Sequence, residues 1–273
     1  MARHSLMALS ALLVAACSAS APIYEFRPTQ APLRYEINDQ GTLLIDTPVG
    51  EQRSTDSTEA VVTISIAAGD SESRQVKVIF ESLDFWAGAD DTPTQHVDGG
   101  DLVGQPFAGT LSQTGSIAIA AAPDIAAELL EVADPVTLFA ELLPPLPPAG
   151  SASSEPWPHR TSYASEAAVS VQASYDGTAS FAGDTTWNGR RARIILSEGI
   201  TTTTGQGTPA GAPGEVVFTY TGRSRTRYIW DPDRGVMLAS IAGIDAEGSL
   251  ELTSMQMTMP ISYEGSRQIN LRQ

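Results

Sequence analysis

The sequence predicts a mainly β fold of the α+β kind: a large curved antiparallel sheet or half-barrel of about ten to twelve strands with a short helical cover. Three features predict it. Apolar and polar residues alternate over most of the chain from Leu33 to Leu271. Turn residues interrupt this alternation at short intervals, as in Trp187-Asn188-Gly189 and Asp231-Pro-Asp-Arg-Gly235. A single segment, Asp124 to Leu143, changes to helical spacing, and six of the eighteen prolines follow it between Pro144 and Pro158.

The chain opens on Met1-Ala-Arg3-His4 and the apolar run Leu6 to Ala16. This run is too short to span a bilayer but suits the core of a signal peptide over residues 1–16. It ends in Val14-Ala15-Ala16-Cys17, which resembles a bacterial lipobox, and Cys17 is the only cysteine. The resemblance implies a mature chain that begins at Cys17, carries lipid there and is held in the cell envelope. Ser18, where an aspartate would favour the inner membrane, implies the outer membrane, on its periplasmic or surface side. Residues 17–32 are small, polar and proline-bearing, and read as a lipidated flexible tether.

Residues 33–273 read as a single β-rich domain with a Pro-rich crossing at 144–158. Leu33-Arg-Tyr-Glu-Ile37 alternates, Asn38-Asp-Gln-Gly41 suggests a turn, and Thr42 to Ile45 resumes the strand pattern. Glu59 to Ala67 and Gln75 to Phe85 suggest a hairpin, as does Gly109 to Ile119 around Gly115. In the helical segment Asp124 is a candidate N-cap, with Ile125, Leu129 and Val132 on one side. Asp134-Pro135 suggests a second start, with Val136, Phe139 and Leu143 forming a stripe. The segment reads either as a layer over the sheet or as a lid over an apolar cavity, lined by Leu129, Leu130, Phe139 and Leu143. Beyond the prolines, Ala167–Tyr175 and Thr178–Trp187 flank Asp176-Gly177, a strong hairpin signal. Strands then continue through Arg191–Leu196, Glu215–Tyr220, Arg225–Trp230, Val236–Ile244, Ser249–Met259 and Ile261–Leu271.

The formal net charge of −16, from 32 acidic against 16 basic residues, argues against a nucleic-acid partner, which needs a basic footprint. The local exception is a set of arginines. Arg191 and Arg193 share one face of a strand and Arg223, Arg225 and Arg227 one face of another. Paired strands would turn them into a stripe for an anionic headgroup, or the arginines would pair with acidic neighbours. His96 and His159 lack metal-ligand spacing, and no nucleophile elbow, P-loop or dinucleotide fingerprint appears. No catalytic residue, metal or cofactor is therefore assigned. The Asp90–Asp101 loop has oxygen ligands for calcium without EF-hand spacing, and a solvated loop is the expectation. Trp86, Trp157, Trp187 and Trp230 would serve either as core anchors or as a stacking platform for sugars.

The order of lipobox, opening strand, Gly115-Ser-Ile hairpin, Leu-Pro-Pro, Ala173-Ser-Tyr175 and Tyr228-Ile-Trp-Asp-Pro-x-x-Gly235 resembles a family of uncharacterised bacterial lipoproteins. More loosely, a sheet with a helical cover is similar to lipoprotein-carrier folds of the LolA/LolB and LppX/LprG kind, which hold acyl chains. These resemblances imply a membrane-anchored, non-enzymatic lipoprotein that binds an acyl chain or other apolar ligand. The alternatives are a structural or assembly lipoprotein that meets another envelope protein, and a tethered hydrolase.

Overall fold

The computed structural model describes residues 24–69, 73–90, 94–130, 134–139, 142–149, 151, 155–166, 169–208 and 214–272. Twelve strands form one open antiparallel sheet: β1 (Leu33–Thr47), β2 (Gly50–Ile66), β3 (Ser73–Ala89), β4 (Gln95–Asp98), β5 (Pro106–Ser112), β6 (Ile117–Ala121), β7 (Trp157–Glu166), β8 (Val169–Trp187), β9 (Arg190–Gly207), β10 (Val216–Asp231), β11 (Val236–Leu252) and β12 (Met257–Arg272). Their order is β6-β5-β3-β2-β1-β12-β11-β10-β9-β8-β7, with β4 beside β3. Strands from both sides of the proline stretch thus belong to one sheet, joined where β1 pairs β12. A mainly β fold with one large antiparallel sheet is what the alternation predicts.

The strands run much longer than the turn signals suggest. Asn38–Gly41 lies within β1, and Asp176-Gly177 lies within β8, so neither makes a turn. Val236 to Leu252 is likewise one strand, and the chain reverses at Thr253–Gln256, inside the expected strand Ser249–Met259. The real turn after β1 is Thr47–Gly50, and Asn188-Gly189 turns with φ of 47° and 78°, the left-handed pair that a two-residue hairpin needs.

Alternation gives the sheet two faces. The concave one carries Tyr35, Ile37, Val62, Ile64, Val78, Phe80, Phe107, Ile195, Tyr228, Trp230 and Met237, all buried, near the Leu33 end of the strands. The helical cover is corrected here. Between β6 and β7, the two edges of the sheet, runs an irregular strap with one α-helical turn (Ala127–Leu130) and one 3-10 turn (Pro135–Phe139). Asp134 does start the second turn, its Oδ1 accepting from Val136 N at 2.9 Å, and Asp124 is exposed. Pro135 lacks the N–H that would carry a helix on from Ala127–Leu130, and Pro144 and Pro145 end the pattern. Leu138, Phe139, Leu142, Leu143 and Leu146 point into the core, and Leu146 N donates to Thr114 O at 3.0 Å. Val132 lies outside the described residues.

Residues 24–32, expected as the outer part of a free tether, instead close the Leu33 end. Phe26 is buried edge-on against Trp230 at 5.1 Å, and Thr29 N donates to Ile66 O at 2.9 Å. Two aromatic rings, Tyr24 and Phe26, supply apolar area that a tether would have to leave in water. Residues 1–23, with the expected signal peptide and Cys17, lie outside the described part.

Candidate functional site

Three places on this sheet hold candidate residues, two of them singled out by sequence reasoning, and the first is the apolar end. Leu129, Phe139 and Leu143 are buried in the main core and Leu130 is half-buried. Phe139 stacks on Phe80 at 5.5 Å and meets Phe107 edge-on at 5.0 Å, an interlocked aromatic triple. Trp157 and Trp230 are also core residues, and their indole N–H groups find no acceptor among the described residues. Trp187 is half-buried against the core cluster, and Trp86, outside that cluster, is half-buried on the convex face.

The second place is the arginine set. β9 and β10 do pair, but the register sets Arg193 opposite Trp230 and Arg227 opposite Leu196. Alternation then puts Arg191 and Arg193 on the concave side and Arg223, Arg225 and Arg227 on the convex side, so the five make no single stripe. Arg193 lies over the Phe181 ring at 4.9 Å and bonds Asp184 at 2.8 Å, which also meets Arg191 at 3.8 Å. The hydrogen bond from Arg193 holds the Asp184 carboxyl below its usual range. Arg225 pairs with Glu198 at 2.8 Å across the strands.

The third place was missed from sequence. Beyond the apolar end, the same concave face turns polar and aromatic. Tyr220 stacks on Tyr263 at 5.5 Å and on Phe218 at 6.0 Å. Arg267 donates to Asp39 through Nε and Nη2 at 2.8 and 2.5 Å, with both side chains only about a fifth exposed. With Thr201, Thr203 and Ser224 these groups rim a small hollow of about 140 Å³. The rings fit because glycine removes the side chain beneath them. A Cβ on Gly41 would fall 2.6 Å from the Tyr263 hydroxyl, and one on Gly177 2.6 Å from that of Tyr175. Burial pushes the Tyr220 and Tyr263 phenols up. Asp56 reaches solvent yet is crowded by Tyr263, and this crowding, then the charge of Asp39, raises its carboxyl. The signal that would have found this lining is Tyr-x-Gly, repeated at Tyr175-Asp-Gly177, Tyr220-Thr-Gly222 and Tyr263-Glu-Gly265.

On the edge of that lining, His159 Nδ1 lies 2.7 Å from Ser197 Oγ, which is also 2.7 Å from the Tyr175 hydroxyl. Burial pushes the imidazole down to about 4, so it is neutral at pH 7. Ser197 is only 1% exposed, which leaves no room for a substrate carbonyl beside its Oγ. These three groups satisfy one another inside the fold. His96 pairs instead with Asp84 at 2.9 Å. In the expected turns, Asp231 Oδ1 accepts from Asp233 N and Arg234 N at 3.0 Å each. Asp98 Oδ1 accepts from Gly100 N at 2.9 Å.

No protein-family model and no curated protein matches this chain. The reading therefore rests on geometry. Among the described residues no three His, Cys, Asp or Glu side chains gather at one point, and no helix is long and apolar enough to cross a membrane. Asp91 of the oxygen-rich loop lies outside the described residues.

Proposed function

We propose that the chain is a lipid-anchored envelope protein that works as a non-enzymatic docking module, meeting another envelope protein through its sheet. The observation that carries this reading is the close packing of the described residues at the apolar end. Phe139 interlocks with Phe80 and Phe107 there, and Leu129 and Leu143 are buried in the same core. What the fold offers a partner is surface: the edge strand β7 and the convex face with Arg223, Arg225 and Arg227. The lipobox resemblance at Cys17 supplies the anchor, with Ser18 favouring the outer membrane. From Cys17 to Tyr24 the chain spans at most about 25 Å, so the apolar end would sit close to the lipid and the Thr47–Gly50 turn far from it.

The test is a photo-crosslinking residue at Tyr163 on β7, with Val49 at the far turn as control. One discrete protein adduct from position 163 and none from 49 is the expected result. Adducts spread equally over both positions would count against docking through the edge.

A second reading keeps Leu129, Leu130, Phe139 and Leu143 as the lining of an acyl-chain site that opens when the strap swings away. The unsatisfied indole N–H groups of Trp157 and Trp230 favour it, because an acyl carboxyl could accept from them. Native mass spectrometry of protein released gently from its own membrane separates the two. Co-purifying lipid supports the carrier, and bare protein supports docking.

A further inference from the structure

We propose that the convex face carries a binding site for neutral saccharides, built on Trp86. Trp86 is the tryptophan that lies outside the core, half-buried among polar neighbours on its sheet face. Its two neighbours in the sheet are different. On one side β4 brings His96 directly opposite, and the imidazole stacks on the indole with ring centroids 5.0 Å apart and planes 21° apart. His96 is itself fixed by Asp84, whose Oδ1 lies 2.9 Å from Nε2. On the other side β2 brings only Ser57 opposite, a side chain too small to cover a ring.

The indole therefore stands as a wall, backed by imidazole on one face and open over β2 and β1 on the other. A cleft of about 330 Å³ lies there, lined by Gln40, Thr42, Thr55, Ser57 and Thr94, with Arg53 and Asp56 also in its lining. That volume is at the lower end of the roughly 300–1,000 Å³ typical of small-ligand sites. Gly88 helps keep the cleft open, since a Cβ there would press within 3.4 Å of the hydroxyls of Thr55 and Thr94.

The chemistry of this lining selects its ligand. A flat indole face carries negative π density and packs against the C–H face of a pyranose ring, whose hydrogens are slightly positive. The surrounding amide and hydroxyl groups, together with Arg53 and Asp56 of opposite charge in the same lining, donate and accept hydrogen bonds, which matches sugar hydroxyls. A net charge of −16 disfavours polyanionic glycans, so the ligand class is neutral. An apolar ligand fails the same comparison, because it would leave the amide and four hydroxyls of the cleft dehydrated and unpaired. This site is independent of the docking surface at β7, and either can fail without the other.

The experiment is saturation-transfer NMR and calorimetry of the full mature chain with maltotriose, cellotriose and chitotriose. At least one trisaccharide should bind. Trp86→Ala should weaken it about tenfold or more, the loss of one stacked aromatic contact. Gln40→Ala, whose side chain leaves the fold untouched, should weaken the same trisaccharide less, and it decides the matter if Trp86→Ala does not fold. No binding of any of the three by the parent chain, or binding unchanged in the folded variants, would overturn the proposal.

Discussion

The concave face of this sheet is filled in two different ways, although the same strands run through both halves. Near Leu33, Tyr35, Val62, Phe80 and Trp230 leave an apolar hollow that the strap closes with Phe139, Leu142, Leu143 and Leu146. Toward the Thr47–Gly50 turn the strands narrow the space to a small hollow, with Tyr220, Tyr263, Thr203 and the Asp39–Arg267 pair over glycines. The difference teaches where each half gets its stability. The strap end depends on a segment far from it in the strand order, whereas the tyrosine end depends on close approach of neighbouring strands.

Breaking the strap should have the largest effect. Phe139→Ala empties the aromatic triple and should cost about 3–5 kcal/mol in urea unfolding. The parent should bind no fluorescent fatty acid; a small loss of stability together with fatty-acid uptake would restore the carrier. Gly115→Ala is the next test. Gly115 has φ of +100°, and an added Cβ would fall 2.2 Å from Pro144 O, within the buried run of the strap. We expect about 1–3 kcal/mol of destabilisation and faster cleavage of the strap by protease. Equal protease resistance in parent and variant would mean that Gly115 does not hold the strap.

At the tyrosine end the effects should be smaller. Arg267→Ala leaves Asp39 without its partner, and because both side chains keep some solvent contact the cost should be about 1–2 kcal/mol by thermal unfolding. His159 should act only in acid. Its folded pKa is depressed to about 4 from an ordinary 6.5, so between these values the unfolded chain binds more protons. The stability given by neutral His159 is present above about pH 6.5 and is lost as pH falls toward 4. His159→Gln should flatten that part of the melting-temperature profile while leaving the neutral part nearly unchanged. A parallel shift at every pH would show that His159 contributes by packing alone.

The strap end was legible in the sequence and the tyrosine end was not. Apolar alternation in Glu59–Ala67 and Gln75–Phe85 marks core strands, and Leu129, Phe139 and Leu143 stand out by spacing. Their contacts were legible only in part, because six prolines replace helical rise with an extended path that no periodicity predicts. At the other end, Asn38–Gly41 and Asp176-Gly177 carry turn chemistry, yet both lie in mid-strand. Glycine there serves to let a tyrosine ring lie flat on the sheet, a long-range demand that local turn preferences cannot register. The five arginines failed as one stripe for a related reason. Alternation fixes which face each run takes within its own strand, but only the β9–β10 register relates one run to the other.

The central claim is that the strap-filled end faces the membrane and the Thr47–Gly50 turn points away from it. It is tested most directly by nitroxide labels in lipid-anchored protein on vesicles, one at Arg234→Cys in the turn before β11 and one at Val49→Cys. Val49 is 90% exposed at the far turn, and the 15 residues of β1 between the two ends span about 50 Å. Power-saturation EPR with a lipid-soluble relaxant should place the label at 234 near the headgroups and the label at 49 in bulk water. The reverse order, or equal depth for both labels, would contradict the account.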